Sequence, residues 1–537
     1  MIGTEEVYDI IIVGAGPCGL ATAARLREQT PAALFTDEEH RRYHWIGKHR
    51  DKVSVKHVKS GKIKGRRAGA TPEYKMMVLD ATADKWMARW DSLFATYDIS
   101  HLRSPMIWHA DPSDRDSLLA YTYENSRQSE LVEIRNCVGR ELSKHGQKKQ
   151  AGRHCGGKVA INIRDRNDYY TPSASVFRDH CDAVCCRYSL ASDLIRKEQV
   201  QDIDFGYVEG IQGSEEELFT VKTESATRYS RVVVMAVGAA NVPKVPSMPS
   251  MPDHNGSLPQ ACHSMQVKTF PDPLVQQRIA SRQPTNIVVI GGGLTSAQVS
   301  DLAIRKGVTK VWHFMRGPLR VKPFDLDLEW MGKYKNTEHA RFWLADSDEE
   351  RLEIIRSARG GGSVTPTFHK ILKRHIAAGK LELKTNTNLV DASFAKDGNG
   401  RGSWKLTMDP PVELPPIDYI YFATGIQTDF QSLPYLRTIM EKHPIPGHGG
   451  FPCLSSDLMW KDGVPMFLVG RLAGLRLGPG AANLGGAMAG AERVAWAVED
   501  IVRHSISEPK GGDGPLGRAW EDYSKGHANM YNALVCE

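Results

Sequence analysis

The sequence holds no run of about 18 apolar residues, the length that a membrane-spanning helix needs, so no span is expected. It holds no Cys-x-x-Cys pair either, which removes the simplest dithiol for redox exchange. Charge of either sign is in short surplus. Lys and Arg number 69 against 63 Asp and Glu, a formal net charge of +6 over 537 residues. That excess is too small to point to nucleic acid or another polyanion. The opening MIGTEEVYDIIIVG carries acid before a short apolar run, where a secretory signal carries base before a longer one. Cys536 is next to last, whereas a prenylation box needs its Cys fourth from the end. The expectation is a cytoplasmic chain.

The nine cysteines are scattered. Cys181, Cys185 and Cys186 fall together as C-x-x-x-C-C, read as one face of a helix in a reducing compartment, with a redox or metal role as the alternative. No second pair at ligand spacing accompanies them, so no metal site is expected. With 41% hydrophobic and 25% charged residues the composition is that of an ordinary globular protein. The length suits two to four domains.

Two stretches repeat one pattern. YDIIIV at 8–13 is a short apolar run, the mark of a strand buried on both faces. A Gly-rich turn follows, then helix formers from Leu20 to Glu28, then a second strand read over Ala32–Phe35. IVVIGGG, from Ile287, starts the pattern again, with a helix over Leu294–Lys306 and a strand over Thr309–Phe314. Between them, 38–70 is basic and Gly-containing, a solvated loop or alternatively a phosphate-attracting or surface-contact segment. Residues 80–131 read as helical, with Trp86, Trp90, Leu93 and Phe94 as core. A polar loop is expected at 141–160, a helix at 173–188, strands at 216–223 and 231–237, and a Pro- and Ser-rich linker at 243–259. Residues 325–362 read as charged helix ending in Gly360, Gly361 and Gly362, and 484–504 as a long helix. The fold class expected is α/β, two Rossmann-like dinucleotide-binding domains with helical insertions. The boundaries read as 1–245 for the first domain with its insertion, 246–415 for the second, and 416–537 for the return to the first.

The first turn is Gly14-Ala15-Gly16-Pro17-Cys18-Gly19. A diphosphate approaches the backbone closely only where side chains are absent. Gly14 allows the tight turn, Gly16 the approach, and Gly19 the packing of helix on strand. The helix start, with Pro17 in its first turn, adds unpaired N–H groups and partial positive charge. Asp37, 18 positions past Gly19, is placed to accept hydrogen bonds from ribose hydroxyls, with Glu38 as the alternative. The second turn is Gly291-Gly292-Gly293-Leu294-Thr295-Ser296, where Ser296 is small enough to replace the third glycine. The strand after it ends in Met315-Arg316. A base there suits the 2′-phosphate of NADPH, with Arg320 and Lys322 able to share the role. VVVMAVG at 232–238 and YIYFATG at 419–425 read as strands that bring the chain back to each cofactor.

The order GAGPCG, AVG, HS, GGGLTS, FATG resembles the class B flavin-dependent monooxygenases, from Asp9 to about Val498. The segments HLRSPMIWHADPSDRDSLLAY at 101–121, VWHFMRG at 311–317 and LGGAMAGAERV are similar to the lysine and ornithine N-hydroxylases, and also to the oxidative-stress-induced growth inhibitor family. The resemblance implies FAD at Gly14, Gly16 and Gly19, and NADPH at Gly291, Gly293 and Ser296. It matches Thr424 and Gly425 to the family's domain-linking ATG. His263-Ser264 falls where a His-Ser pair is frequent, though the upstream Phe-x-Gly of the Baeyer–Villiger fingerprint is missing; a hydrogen-bonded loop histidine is the plain reading of His263. FLVGRLAGLRLGPGAANLGG lacks the Gly-Asp that many two-dinucleotide flavoproteins carry, which leaves backbone near Gly470 and the last helix start, with Asn483, to meet the flavin. The reaction implied is reduction of the flavin by NADPH, capture of O2 as a C4a-(hydro)peroxide, and transfer of one oxygen atom to a small substrate, here an amine nitrogen. Baeyer–Villiger or sulfur oxygenation, NADPH oxidase or flavin reductase activity, disulfide reduction and a non-catalytic nucleotide sensor are the other readings. Few catalytic side chains are needed. Arg103 and His109 are candidates to face flavin or substrate, with a structural ion pair the alternative for Arg103. A homo-oligomer is possible.

Overall fold

The computed structural model describes residues 6–28, 74–135, 137–138, 163–208, 216–238 and 258–506, less 333, 334 and 399, with isolated residues between 31 and 64 and between 241 and 251. Asp37, Glu38, most of the basic segment 38–70 and the loop at 141–160 lie outside the described residues.

The first unit is built on β1 (Val7–Val13), which leads through the first Gly turn into α1 (Pro17–Arg27). Ile10, Ile11 and Ile12 are fully buried, as an apolar run inside a parallel sheet requires. Burying each contributes about 1.5–3 kcal/mol. The strand beside β1 is β2 (Met76–Asp80), parallel, with Ile10 opposite Met76 and Val13 opposite Leu79. This corrects the reading of Ala32–Phe35 as that strand: Ala33 and Leu34 form a turn. MMVLD wins the place because it is apolar enough to be buried on both faces.

The stretch 80–131 is only partly helical. It holds α2 (Ala88–Thr96) and a short helix, Ser117–Glu124, and the loop between them carries Arg103 and His109. The chain continues through α3 (Ala174–Arg187), β3 (Ile195–Lys197), β4 (Val200–Gly206), β5 (Leu218–Thr223) and β6 (Thr227–Met235). On α3, Cys181 is buried and Cys185 partly so, but Cys186 is exposed, so the three do not share a face. β6 pairs with β1 in parallel along Tyr8–Val13, and antiparallel with β5 at its start.

The second unit is a five-stranded parallel sheet. Its strands are β7 (Ala261–His263), β8 (Asn286–Ile290), β9 (Lys310–Met315), β10 (Leu381–Thr385) and β11 (Tyr419–Phe422). Their order is β7-β11-β8-β9-β10. α4 (Leu294–Arg305) follows β8, and α5 (Asp348–Arg359) and α6 (Pro366–Ala377) lie between β9 and β10. Ile287, Val289 and Tyr421 face one core, and Val288, Ile420 and Phe422 the other, so this sheet too is covered on both sides. The second cover is an antiparallel ribbon, Asn388–Lys396 with Gly402–Asp409, onto which Val245, Met248 and Met251 of the Pro-rich linker also pack. Because β11 is bonded to both β7 and β8, the second unit extends past the boundary read at 415, to Phe422.

The chain then returns to the first sheet as the hairpin β12 (Met459–Lys461) and β13 (Val464–Leu468), the latter parallel to β6. The order there is β12-β13-β6-β1-β2-β3. The last helix, α7 (Leu484–Ile506), packs along α1, fastened by the ion pair from Arg25 Nε to Glu492 at 2.6 Å. No helix among the described residues is long and apolar enough to cross a membrane.

Candidate dinucleotide-binding sites

The first turn leaves β1 at the C-terminal edge of the sheet, where open α/β sheets take their ligands. Gly14 has φ +110°, and a Cβ on it would stand 2.5 Å from the Ala236 carbonyl oxygen. A Cβ on Gly19 would stand 2.0 Å from the Gly14 oxygen. Both glycines are therefore fixed by packing. Gly16 is different: a Cβ there meets nothing within 4 Å, so its open side faces the space that a ligand would enter. Gly16 also caps α1 without any side-chain hydrogen bond, so the helix start keeps its free N–H groups for an anion.

Asp80 stands at the end of β2, where the ribose-accepting acid of such folds belongs. Its Oδ2 accepts from Ala15 N at 2.9 Å and its Oδ1 from Thr82 N at 2.7 Å. Ala15 in turn accepts from Met87 N at 2.8 Å, so one loop grips both sides of the turn. The spacing rule missed Asp80 because a long insertion separates it from α1; the apolar run closing on an acid was the available signal.

The second turn repeats the design. A Cβ on Gly291 would stand 2.4 Å from the Ala423 oxygen, and Gly293 caps α4 with no side chain. Ser296, buried, donates from Oγ to the Gly293 oxygen at 2.7 Å, so its side chain serves the helix start and stays out of the ligand's path. His313, fully buried on β9, donates from Nε2 to the Gly291 oxygen at 2.8 Å, and burial lowers its pKa to about 4. Arg316 follows β9, exposed and without a partner among the described residues. Lys322 is committed elsewhere, 2.8 Å from Asp327, whereas Arg320 reaches over Gly360.

Residues 359–363 run from the start of α7 to the second turn. Arg359 donates to Asn483 Oδ1 at 3.2 Å and to the Pro479 oxygen at 2.9 Å, at the start of α7. Gly362 lies on the second turn: a Cβ on it would be 2.9 Å from the Gly292 oxygen and the Gly293 nitrogen. Ser363 accepts from Arg103 Nη2 at 2.8 Å. Three residues span at most about 11 Å, so only a short stretch of backbone separates Arg359 from the residue that rests on the second turn.

The architecture resembles that of flavin monooxygenases with two dinucleotide-binding domains. The ornithine hydroxylase from Pseudomonas aeruginosa superposes with a TM-score of 0.57 at 15% identity, covering 93% of this chain and 100% of that one. The L-lysine 6-monooxygenase from Pseudomonas syringae gives 0.54 at 15%, covering 92% and 100%. The FAD-bound cadaverine monooxygenase from Erwinia amylovora gives 0.52 at 14%, covering 95% and 99%. No family model and no curated relative matches the sequence.

Within this frame the remaining residues fall into place. Arg103 forms no ion pair among the described residues. Its guanidinium donates to the Pro323, Ser363 and Lys322 carbonyls and to Ser363 Oγ, which clamps the first unit to the second. Burial lowers its pKa to about 10, still charged at neutral pH. His109 has Nε2 on the Arg115 oxygen at 3.0 Å and accepts at Nδ1 from Asp111 N at 3.2 Å. Burial lowers its pKa, and the neutral ring holds a local turn. His263 accepts at Nδ1 from Met265 N and donates from Nε2 to the Gly425 oxygen at 3.1 Å, the loop-histidine role, aimed at the domain-linking segment. Thr424 and Gly425 are exposed past β11, next to the Ala423 that packs on Gly291.

The Asn483 side chain is engaged at both ends. Its Nδ2 donates to Asp325 Oδ1 at 2.8 Å while its Oδ1 is held by Arg359. Burial works to raise the Asp325 carboxyl, but Arg359, Asn483 and Arg103 together hold it below its ordinary value. Cys18 stands alone, its thiol raised to about 11 by burial and so protonated at neutral pH. Every cysteine among the described residues is free, and none of those residues forms a group of three metal-ligating side chains.

Proposed function

We propose that the chain is an FAD-dependent, NADPH-using monooxygenase that places one oxygen atom from O2 on a small substrate, at an amine nitrogen. The observation that carries the reading is the pair of side-chain-free helix starts at Gly16 and Gly293. The fit to the cofactors rests on this chain's own geometry. A side chain at Gly16 would project into open space, so the cradle has room for a diphosphate. At the second turn the nearest atom to a Cβ on Gly293 is 3.9 Å away, and Arg316, without a partner among the described residues, follows the strand whose Phe314 oxygen accepts from Gly291 N, where a base suits a 2′-phosphate. The bound flavin supplies redox and oxygen chemistry, and the protein supplies binding and orientation.

The N–H groups at the starts of α1 and α4 hold the two diphosphates. Asp80 keeps the first turn in shape through Ala15, and its remaining carboxylate lone pairs serve the ribose. His313 keeps the second turn in shape through the Gly291 carbonyl. The Arg103 clamp ties the first unit to the second, and the His263–Gly425 hydrogen bond holds the segment that leaves β11. The amine preference rests on likeness in fold to the ornithine, lysine and cadaverine enzymes and on the sequence segments similar to the N-hydroxylases.

The test is direct. The purified protein should carry a flavin spectrum and consume NADPH faster when a panel of primary amines and amino acids is supplied, with hydroxylamine product equal to the NADPH used. Peroxide equal to the NADPH used, with no product from any amine or sulfide, would replace this reading with NADPH oxidase. A colourless protein that takes up no flavin would end it.

A further inference from the structure

We propose that Arg471 is a cofactor-holding residue of the first unit, its guanidinium pairing with negative charge on the dinucleotide bound at the Gly14–Gly19 turn. The inference rests on the reading of that turn given above and names a residue which that reading does not use.

Position is the first argument. β13 runs parallel to β6, and Val469 N donates to the Met235 oxygen at 3.1 Å, so residues 470 and 471 emerge at the same sheet edge as the first turn. Gly470 has φ +68° and packs on the start of α1: a Cβ on it would lie 2.9 Å from Cys18 Sγ. Arg471 is therefore one residue removed from direct contact with the helix start that offers its N–H groups.

The missing partner is the second argument. Arg471 is half-buried, yet its side chain makes no hydrogen bond or ion pair among the described residues. Two other guanidiniums named above, including the Arg359 whose charge Arg471 feels, are committed. Arg103 is held by carbonyls and Ser363, and Arg359 by Asp325, Asn483 and Pro479. Arg359 and Arg103 already share the Asp325 carboxylate, and Arg471 feels the Arg359 charge with no carboxylate of its own. Burial and the nearby Arg359 charge both lower the Arg471 pKa, the mark of a cation short of a counter-ion. A guanidinium can only donate, and its strongest partners are phosphate and other oxyanions. A half-buried cation without a partner is costly to keep. A bound anion at this edge removes that cost.

Two parts of the dinucleotide carry negative charge, the diphosphate and the reduced flavin ring, and the test separates them. Full-length wild type, Arg471→Ala and Arg471→Lys are stripped of flavin and titrated with FAD by fluorescence quenching, and with ADP, which has the diphosphate but no flavin ring. Arg471→Ala should bind FAD at least ten-fold more weakly, with a flatter salt dependence, and Arg471→Lys should recover part of the loss. A parallel loss for ADP assigns the diphosphate. A loss confined to FAD, with the flavin reduction potential moved to more negative values, assigns the ring. The apo form of Arg471→Ala should melt at or above the wild-type temperature, since no native contact is removed; should it fail to fold, Arg471→Gln keeps the stem and removes the charge. Wild-type uptake of FAD with the variant's affinity within two-fold overturns the assignment of Arg471 alone. A wild type that takes up no flavin overturns the reading of the turn, and this assignment with it.

Discussion

Gly362 rests its Cα directly on the backbone of Gly292, with no room for even a methyl group between them. The neighbour is main chain and cannot rotate aside. Gly362→Ala must therefore push the second turn out of place, at a cost of about 1–3 kcal/mol for overpacking. The NADPH site should suffer first: we expect KM for NADPH to rise at least five-fold while flavin content stays at the wild-type level. Equal loss of flavin and NADPH would show that residues 359–363 do not belong to the second site.

The second and third glycines of the first turn make a sharper pair. Gly16 is extended, with φ −83°, and a Cβ on it touches nothing, whereas a Cβ on Gly19 collides with the Gly14 oxygen. Gly16→Val should fold with an apo melting temperature near wild type and yet purify without flavin, because the branched side chain fills the diphosphate path. Gly19→Ala should instead lose stability, since helix and strand can no longer approach. Flavin retained at wild-type level by Gly16→Val would remove the first turn from the cofactor site.

These positions also mark how far the sequence could be read. Gly14, Gly16, Gly19, Gly291, Gly293 and Ser296 were legible because each turn is local: a buried apolar strand, a few small residues and a helix start, all within about a dozen positions. Asp80 was not, because the spacing from turn to acid holds only when the second strand follows α1 directly, and here MMVLD comes after a long insertion. The cluster of Asp325, Arg359 and Asn483 is held by contacts between residues more than a hundred positions apart, apart from the Arg359–Asp325 pair, and no local pattern announces it. His109 drew notice through the HLRSPMIWH segment, and His263 through the position of its His-Ser pair. Once folded, both spend their nitrogens on backbone groups. The run of three glycines at 360–362 was visible, but its reason, close passage over Gly292, exists only in three dimensions.

Arg316 should decide coenzyme choice without touching the fold. It is exposed and unpaired, so Arg316→Ala removes no contact and should leave the melting temperature unchanged. If it reads the 2′-phosphate, KM for NADPH should rise about ten-fold, the loss of one charge-assisted contact, while KM for NADH stays within two-fold. Arg320→Ala should show a smaller effect of the same kind. A parallel rise for both coenzymes would move the phosphate reader elsewhere.

His313 ties the second turn to pH. The unfolded imidazole titrates near 6.5, and the buried one at about 4. Between those values the unfolded chain binds a proton that the native chain does not, so this residue's contribution to stability is complete above about pH 6.5 and shrinks as pH falls toward 4. Protonation also puts a charge beneath the Gly291 carbonyl in a site that excludes water, so the second turn should loosen before the first. His313→Gln keeps an N–H able to reach the Gly291 oxygen but does not titrate. We expect the variant to be less stable than wild type at pH 7 and to close part of that gap at pH 5, as read from urea midpoints at the two pH values. His339, lowered to about 4 by burial and by Lys335 and Arg493, leaves both proteins a shared acid slope. Only the difference between the two curves therefore reports His313, and a gap of constant size across that range would mean that its proton plays no part in holding the turn.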